Sequence, residues 1–347
     1  MHLTTTKSKL TEEGSKQTRI LEAGTVLLTN SGATLGVPKI LSIRAGANDG
    51  IAAFLNLRQV TPEFLFYVLQ ARTRFMRESL APGVGQPNLN TEIIGGIRVP
   101  VPELNEQLGV VSLLSCWDSA INLIGKLISA KGIQKHALMQ EAYRRSKGEV
   151  VALSKVLKRV RIPVDPESDA KYREIGIRSH GKGIFHKPEV TGASLGNKRV
   201  FEVRPDCFVF NVVFAWEQAV ARTTTKEVGM IASHRFPMYE PIDDLVDIDY
   251  LLNFFKTKRG KHLLGLASPG GAGRNRTLSQ DAFLKLKIPL PPKREQARKA
   301  KAILCADTEI ALLEQCFGLL KQQKKGLMQQ LLTGKIRVKL PKARGKK

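Results

Sequence analysis

The sequence predicts an α+β protein made of two globular units of strands and helices, with two long helices that pack on each other. Three observations lead there. A stretch starting at Val99 recurs from Ile288 at a constant offset (288 − 99 = 189), laying Pro100 on Pro289, Pro102 on Pro291, Glu106-Gln107 on Glu295-Gln296, Cys116 on Cys305, Asp118 on Asp307, Ile121 on Ile310 and Leu138-Met139-Gln140 on Leu327-Met328-Gln329. A period that long, against roughly 20–50 residues for stacked repeats, means two domain-sized halves. Inside the recurring stretch the apolar residues alternate spacings of three and four, the mark of a helix with a coiled-coil seam. Ahead of each copy runs a similar succession of strand, helix and Gly-rich loop, at lower similarity.

Composition bounds the function. At 347 residues and 42% apolar content the chain can bury two cores. Its 55 Lys and Arg against 31 Asp and Glu leave a net charge of +24, which makes a polyanion, nucleic acid first, the expected partner. An anionic membrane surface competes, but there is no apolar run of about 18 residues and no signal sequence, so the expectation is a cytoplasmic protein without a membrane partner. Cys116, Cys207, Cys305 and Cys316 show no CxxC pairing and no His at ligand spacing, so no disulfide framework and no metal site is expected; all four read as buried small apolar residues.

Residues 1–23 are polar, with neither a strand pattern nor a targeting pattern. Thr25–Leu28 reads as a strand, and Asn30-Ser31-Gly32-Ala33-Thr34-Leu35-Gly36 as a tight turn; a phosphate cradle there would need the GxxxxGK[ST] spacing, which it lacks. From Pro62 the run EFLFYVLQARTRFM has helical periodicity and ends before the Gly/Pro loop Ala81–Gly85. Val99-Pro100-Val101-Pro102 is extended because each proline keeps its predecessor out of the helical region. The long helix follows, with the seam Val110, Leu114, Trp117, Ile121, Ile124 and Ile128; the second copy carries Ile303, Ala306, Ile310, Leu313, Phe317 and Leu320. Each stripe needs covering, and the simplest cover is the other helix. At about 1.5 Å per residue, roughly 40 residues span about 60 Å, the dimension of a spacer.

After the polar link Arg144–Val150 a second unit opens, in which Cys207–Phe210 matches Thr25–Leu28 and Asp249-Tyr250-Leu251 matches Glu63-Phe64-Leu65. The second unit has about 30 more residues before this strand than the first, which therefore reads as N-terminally short. The boundaries are 1–98, 99–149, 150–287, 288–336 and a basic tail, 337–347; from Lys321 onward there is no acidic residue.

Catalytic motifs are missing: no GxGxxG after a strand, no HExxH, no GxSxG, no methylation motif of the Asn/Asp-Pro-Pro-aromatic type. His180, His186 and His234 share one unit without a catalytic or ligand spacing. Their neighbours suit DNA better: Arg178, His180 and Lys182 in one loop, His234 and Arg235 in another, and Arg274, Asn275 and Arg276 in a third are donors for phosphates and base edges. Asn30 and Ser31 are the corresponding candidates in the first unit. For any one of these loops an ordinary solvated turn remains open.

Pro289-Leu290-Pro291-Pro292 with Glu295-Gln296, and the run Lys325 to Lys335, resemble the conserved C-terminal region of the DNA-specificity subunit of type I restriction–modification systems. The stretch 99–140 resembles the central conserved region, and 150–286, with Phe214-Ala215-Trp216-Glu217 and Ser268 to Arg276, resembles a whole target-recognition domain. The resemblance implies two target-recognition domains of mixed β-sheet with helices, held apart by two antiparallel coiled-coil helices related by a pseudo-two-fold repeat. It implies double-stranded DNA, methyltransferase subunits and a motor endonuclease subunit as partners. It places S-adenosylmethionine, ATP and Mg on those partners, with no cofactor and no metal on this chain. The departure is the short first domain.

The expected function is therefore a non-catalytic adaptor that reads a bipartite DNA target, one half per recognition domain, and brings modification and cleavage subunits to it. The alternative is a basic coiled-coil DNA-binding protein, structural or regulatory, without such partners; an enzyme with a dispersed site is a third class.

Overall fold

A computed structural model of the chain describes residues 1–81, 88–144, 148–270 and 276–338. The chain divides into two compact units, residues 1–127 with 313–347, and residues 128–312. Two long helices, α2 (Leu104–Arg144) and α4 (Lys293–Leu331), each give part of their length to each unit.

In the first unit β1 (His2–Leu3), β2 (Arg19–Leu21), β3 (Val26–Thr29), β4 (Pro38–Leu41), β5 (Ala45–Ala47) and β6 (Ile51–Phe54) make a four-stranded sheet in the order β1-β4-β3-β6 and a separate β2-β5 pair. Helix α1 (Pro62–Phe75) starts where Thr61 Oγ1 accepts the Phe64 N–H, and Pro62 sits in the first turn, where a missing N–H costs no bond. Phe64 to Leu69 are all buried, so α1 is a core helix packed with Val26, Leu28, Ile40, Val110, Leu114 and Met328. Within this unit α2 and α4 run in opposite directions: Asp118 meets Lys324, and Phe317, earlier in α4, lies against Gly125, later in α2.

The second unit repeats part of this plan. Its strands are β7 (Glu149–Ala152), β8 (Leu157–Val160), β9 (Pro163–Val164), β10 (Lys171–Ile177), β11 (Ile184–Thr191), β12 (Val200–Glu202), β13 (Phe208–Phe210), β14 (Val220–Arg222), β15 (Ile231–Ser233), β16 (Met238–Pro241) and β17 (Lys287–Leu290). They form sheets in the orders β14-β13-β16-β8 and β11-β10-β15-β12-β9, with β17 paired to β7. The antiparallel trio β14-β13-β16 corresponds to β4-β3-β6, and the antiparallel pair β12-β15 to β2-β5. The fourth strand differs: β8 joins β16 antiparallel, whereas β1 joins β4 in parallel. Helix α3 (Ile248–Lys256) matches α1, and its Tyr250, Phe254 and Phe255 pack with Phe208, Phe210, Phe283, Tyr143 and Ile303. Here too the long helices are antiparallel, with Lys131 on Glu309 and Lys135 on Asp307.

The same polar clamp ties helix to globular part in each unit. Gln107, 0% exposed, accepts the Thr61 N–H on Oε1 at 2.9 Å and donates from Nε2 to the carbonyls of Gln59 and Pro102. Gln296, 1% exposed, accepts the Asp247 N–H at 2.8 Å and donates to Leu245 and Pro291. Thr61 and Asp247 are the N-caps of α1 and α3, so each glutamine satisfies main-chain groups that a buried helix start would otherwise leave bare.

Of the seam residues, Val110, Leu114 and Ile303 are buried, and Trp117, Ile121, Ile124, Ile128, Ala306, Ile310, Leu313, Phe317 and Leu320 are partly covered. Beside them Leu113, Leu123, Leu127, Leu312 and Leu319 are exposed. This second stripe corrects one expectation: α2 is, by length and composition, apolar enough to cross a membrane, with a mean hydropathy of 1.4 over its most apolar 18 residues. Scattered polar residues such as Asp118, Asn122 and Lys126 break an uninterrupted run without lowering the average enough. A second correction concerns the thiols. Only Cys207 is buried, and Cys116, Cys305 and Cys316 are exposed because they lie off the seam on the long helices. The N-terminal stretch does hold structure, β1, a short helix Glu12–Lys16 capped by Thr11, and β2, all too short to leave a periodic pattern.

Candidate nucleic-acid interface

The candidate interface is organised by one turn of the second unit, Asn211 to Gln218. After β13 the chain leaves the sheet, and its main chain becomes a junction: the Val212 N–H donates to the Arg235 carbonyl at 3.0 Å, and the Val212 carbonyl accepts the Leu278 N–H at 2.8 Å. A short 3-10 turn, Ala215–Glu217, ends at Gln218 in the left-handed region (φ 60°), with Gln218 Nε2 donating to the Phe255 carbonyl at 2.9 Å. Against this turn lies the tip of the β10-β11 hairpin. The His180 N–H donates to the Glu217 carbonyl at 2.7 Å, the Gly181 N–H to the Gln218 carbonyl at 2.8 Å, and Ser179 Oγ to Glu217 Oε2 at 2.9 Å. Gly181 has φ 65° and the Lys256 stem beside it, so a side chain there would meet both backbone strain and a neighbour. Burial holds the Lys256 ammonium below the usual lysine range, with Asp307 pulling the other way and Lys135 adding to the lowering.

These contacts bring separated basic residues to one place. Arg178 stands over the Phe185 ring at 5.0 Å and Arg276 over the Trp216 ring at 5.6 Å. Trp216 is itself fixed, its Nε1 donating to the Val213 carbonyl at 3.1 Å. His180 and Lys182 are exposed on the hairpin tip, and His234 and Arg235 on the loop whose carbonyl holds Val212. Arg274 and Asn275 lie outside the described residues. Sequence reasoning missed Arg159, Arg161 and Arg199. The His234 N–H donates to the Arg199 carbonyl, Arg161 stands over Phe201 at 5.1 Å, and Arg159, Arg161 and His234 line one small cleft. The alternating Arg159-Val160-Arg161 at the end of β8 was the available signal.

In the first unit the candidates stand at the corresponding junction of loops. The Asn30 N–H donates to the Gly50 carbonyl and the Asn30 carbonyl accepts the Leu89 N–H, the same junction that Val212 makes, while Asn30 Nδ2 donates to the Asp49 carbonyl. Ser31 bridges to Asn88. Both residues knit loops together.

The histidines do not meet. His186 Nε2 lies 2.8 Å from Glu227 Oε1, away from His180 and His234, and among the described residues no group of three His, Cys, Asp or Glu could hold a metal. Burial pushes the Glu227 carboxyl up, but bonds from His186 and Thr224 outweigh it and hold it below the usual range.

Residues 2–130 match the family described as the type I restriction modification DNA specificity domain. The chain is 25% identical over 312 residues to the type I restriction enzyme MjaVIII specificity subunit of Methanocaldococcus jannaschii, a match covering 80% of this chain and 70% of the relative. Over most of its length the chain is thus similar to specificity subunits of type I restriction enzymes, and its first 130 residues carry the match to their DNA specificity domain. Solved structures share its fold: the S subunit from M. genitalium, with a TM-score of 0.56 at 12% identity over 90% of this chain and 83% of that one, and the HsdS subunit from Thermoanaerobacter tengcongensis, with a TM-score of 0.50 at 15% identity over 91% and 82%.

Proposed function

We propose that this chain is the DNA-specificity subunit of a type I restriction–modification system, that it binds double-stranded DNA through the basic face around Asn211–Gln218, and that it directs methyltransferase subunits and a motor endonuclease subunit to the bound site. The carrying observation is the convergence of the Arg178–Lys182 tip, Arg276 and the His234–Arg235 loop on one turn, against a chain charge of +24. Clustered donors on a rigid scaffold give both phosphate anchoring and base contact. The target is bipartite, one half per unit. S-adenosylmethionine, ATP and Mg belong to the partner subunits, and the complex works in the cytoplasm.

Methylation sequencing of DNA from cells carrying this chain with its methyltransferase subunit tests the reading. A methylated split motif that disappears when the chain is deleted is the expected result. An unchanged methylation map would sink it, and failure to co-purify with a methyltransferase would favour the partnerless DNA-binding alternative.

A further inference from the structure

The second unit holds many arginines, and they divide by environment. Arg222 is locked between Asp206 and Asp249, and Arg173 is paired with Glu189. Arg161, Arg178 and Arg276 instead stand over aromatic rings, and among the described residues none of the three meets a carboxylate; of these, Arg178 and Arg276 are the two whose platforms are tied to the Asn211–Gln218 turn. A phosphate contact needs only a mobile cation, whereas reading a base edge needs the guanidinium fork held at a set angle before DNA arrives. An aromatic platform supplies that restraint; at Arg178 a bond from Nη1 to the Ile184 carbonyl at 3.5 Å adds to it, with the other guanidinium N–H groups left to meet a base edge.

Both platforms are built in. On β10, Gly176 pairs with Phe185 on β11, and a methyl group at Gly176 would run into the Phe185 ring. The missing side chain therefore makes room for the ring under Arg178. Trp216 is pinned by its bond to Val213. The hairpin that carries Arg178 is bonded to the Glu217 and Gln218 carbonyls, next in sequence to Trp216, so the two guanidiniums share one reference frame. The β10-β11 hairpin is the edge of its five-stranded sheet, paired to β15 at Glu174, and the stretch beyond that pairing, which carries Gly176, Phe185 and Arg178, is two strands wide, the width a major groove admits.

We propose that Arg178 and Arg276 are base-reading residues of the second unit, that each recognises a guanine through its O6 and N7 acceptors, and that Phe185, Gly176 and Trp216 are positioning residues. Lys182, Arg199 and Arg235, which among the described residues have no ring beneath them, anchor phosphates. The assignment rests on the DNA-recognition reading above and goes beyond it in naming the base and the residues.

The test uses the full chain and a pool of duplexes randomised over about one turn of DNA, sequenced after selection. Binding is then measured on the enriched duplex with each guanine replaced singly by 7-deazaguanine, which lacks the N7 acceptor. Two positions are expected to lose at least about fivefold in affinity. R178K and R276K, which keep the charge, each lose the preference at one of those positions. W216L loses it at the same position as R276K, with an unchanged melting temperature. If the lysine variants keep both preferences, or if R178A and R276A weaken all duplexes equally and each lowers the salt slope by about one, the two are phosphate anchors and the assignment is wrong. A wild-type chain that enriches no sequence at all would overturn the DNA-recognition reading, and this assignment with it.

Discussion

Lys324 Nζ lies 2.5 Å from Asp118 Oδ1 in the first unit, and the same pair recurs with its helices exchanged in the second, where Lys135 donates to Asp307 (118 + 189 = 307; 135 + 189 = 324). Lys324 is 7% exposed and also stands over the Tyr67 ring, whose hydroxyl donates to Asp118 Oδ2 at 2.8 Å. Removing the carboxylate strands a buried ammonium. D118A should therefore destabilise the first unit by about 2 kcal/mol, less than a fully buried pair would cost because the Asp118 side chain is 40% exposed. Thermal unfolding of the full chain checks it; no change in the transition would mean that the pair is ornamental. D307A should cost less, since Lys135 is more exposed than Lys324.

The glutamine clamps should be less forgiving than the ion pairs. Q296A leaves the Asp247 N–H and the Leu245 and Pro291 carbonyls without their partner in a dry site, an expected loss of about 2–3 kcal/mol by denaturant unfolding. Q296E keeps the shape but replaces the donating amide by an acceptor facing two carbonyls, so it should be no better than alanine. A Q296E variant as stable as wild type would refute the clamp.

Acid should act on the second unit through Glu227. Its carboxyl is held below the ordinary value of 4.5, so the charged form is favoured by folding. That stability is fully present above pH about 4.5 and fades as pH falls through the lower folded value. H186A removes one bond to the carboxylate and should move the acid unfolding midpoint upward, while E227Q should flatten this part of the profile. Identical acid profiles for wild type and H186A would contradict the assignment.

The cysteines offer a direct count. Cys207 is fully buried, and burial together with the Glu240 charge pushes its thiol up to about 11, whereas Cys116, Cys305 and Cys316 are exposed. A thiol reagent at pH 8 should modify three cysteines quickly and the fourth only on unfolding. Peptide mapping that finds Cys207 among the fast thiols would show the β13 core to be open.

The long helices and α1 were legible because 3.6-residue periodicity is local: the apolar spacing from Pro62 announces α1, and the threes and fours from Val110 announce the seam. The exposed thiols and the second apolar stripe were not, since periodicity says which residues share a face but not whether a face is covered. In the candidate site Asn30 and Ser31 are legible as polar turn residues. Their role in knitting loops depends on Gly50, Asn88 and Leu89, which lie far along the chain.

By itself the sequence determined the repeat, the two helices that carry it, the basic charge and the loops that hold it, because composition, period and motif are properties of neighbours along the chain. Only the tertiary structure decided that the hairpin tip, Arg276 and the His234–Arg235 loop meet at one turn, and that two arginines there stand on rings. The physical reason is that the joining bonds run to main-chain carbonyls, such as His180 to Glu217, and every residue has a carbonyl. Such a bond leaves no trace in residue identity and exists only once the chain has folded.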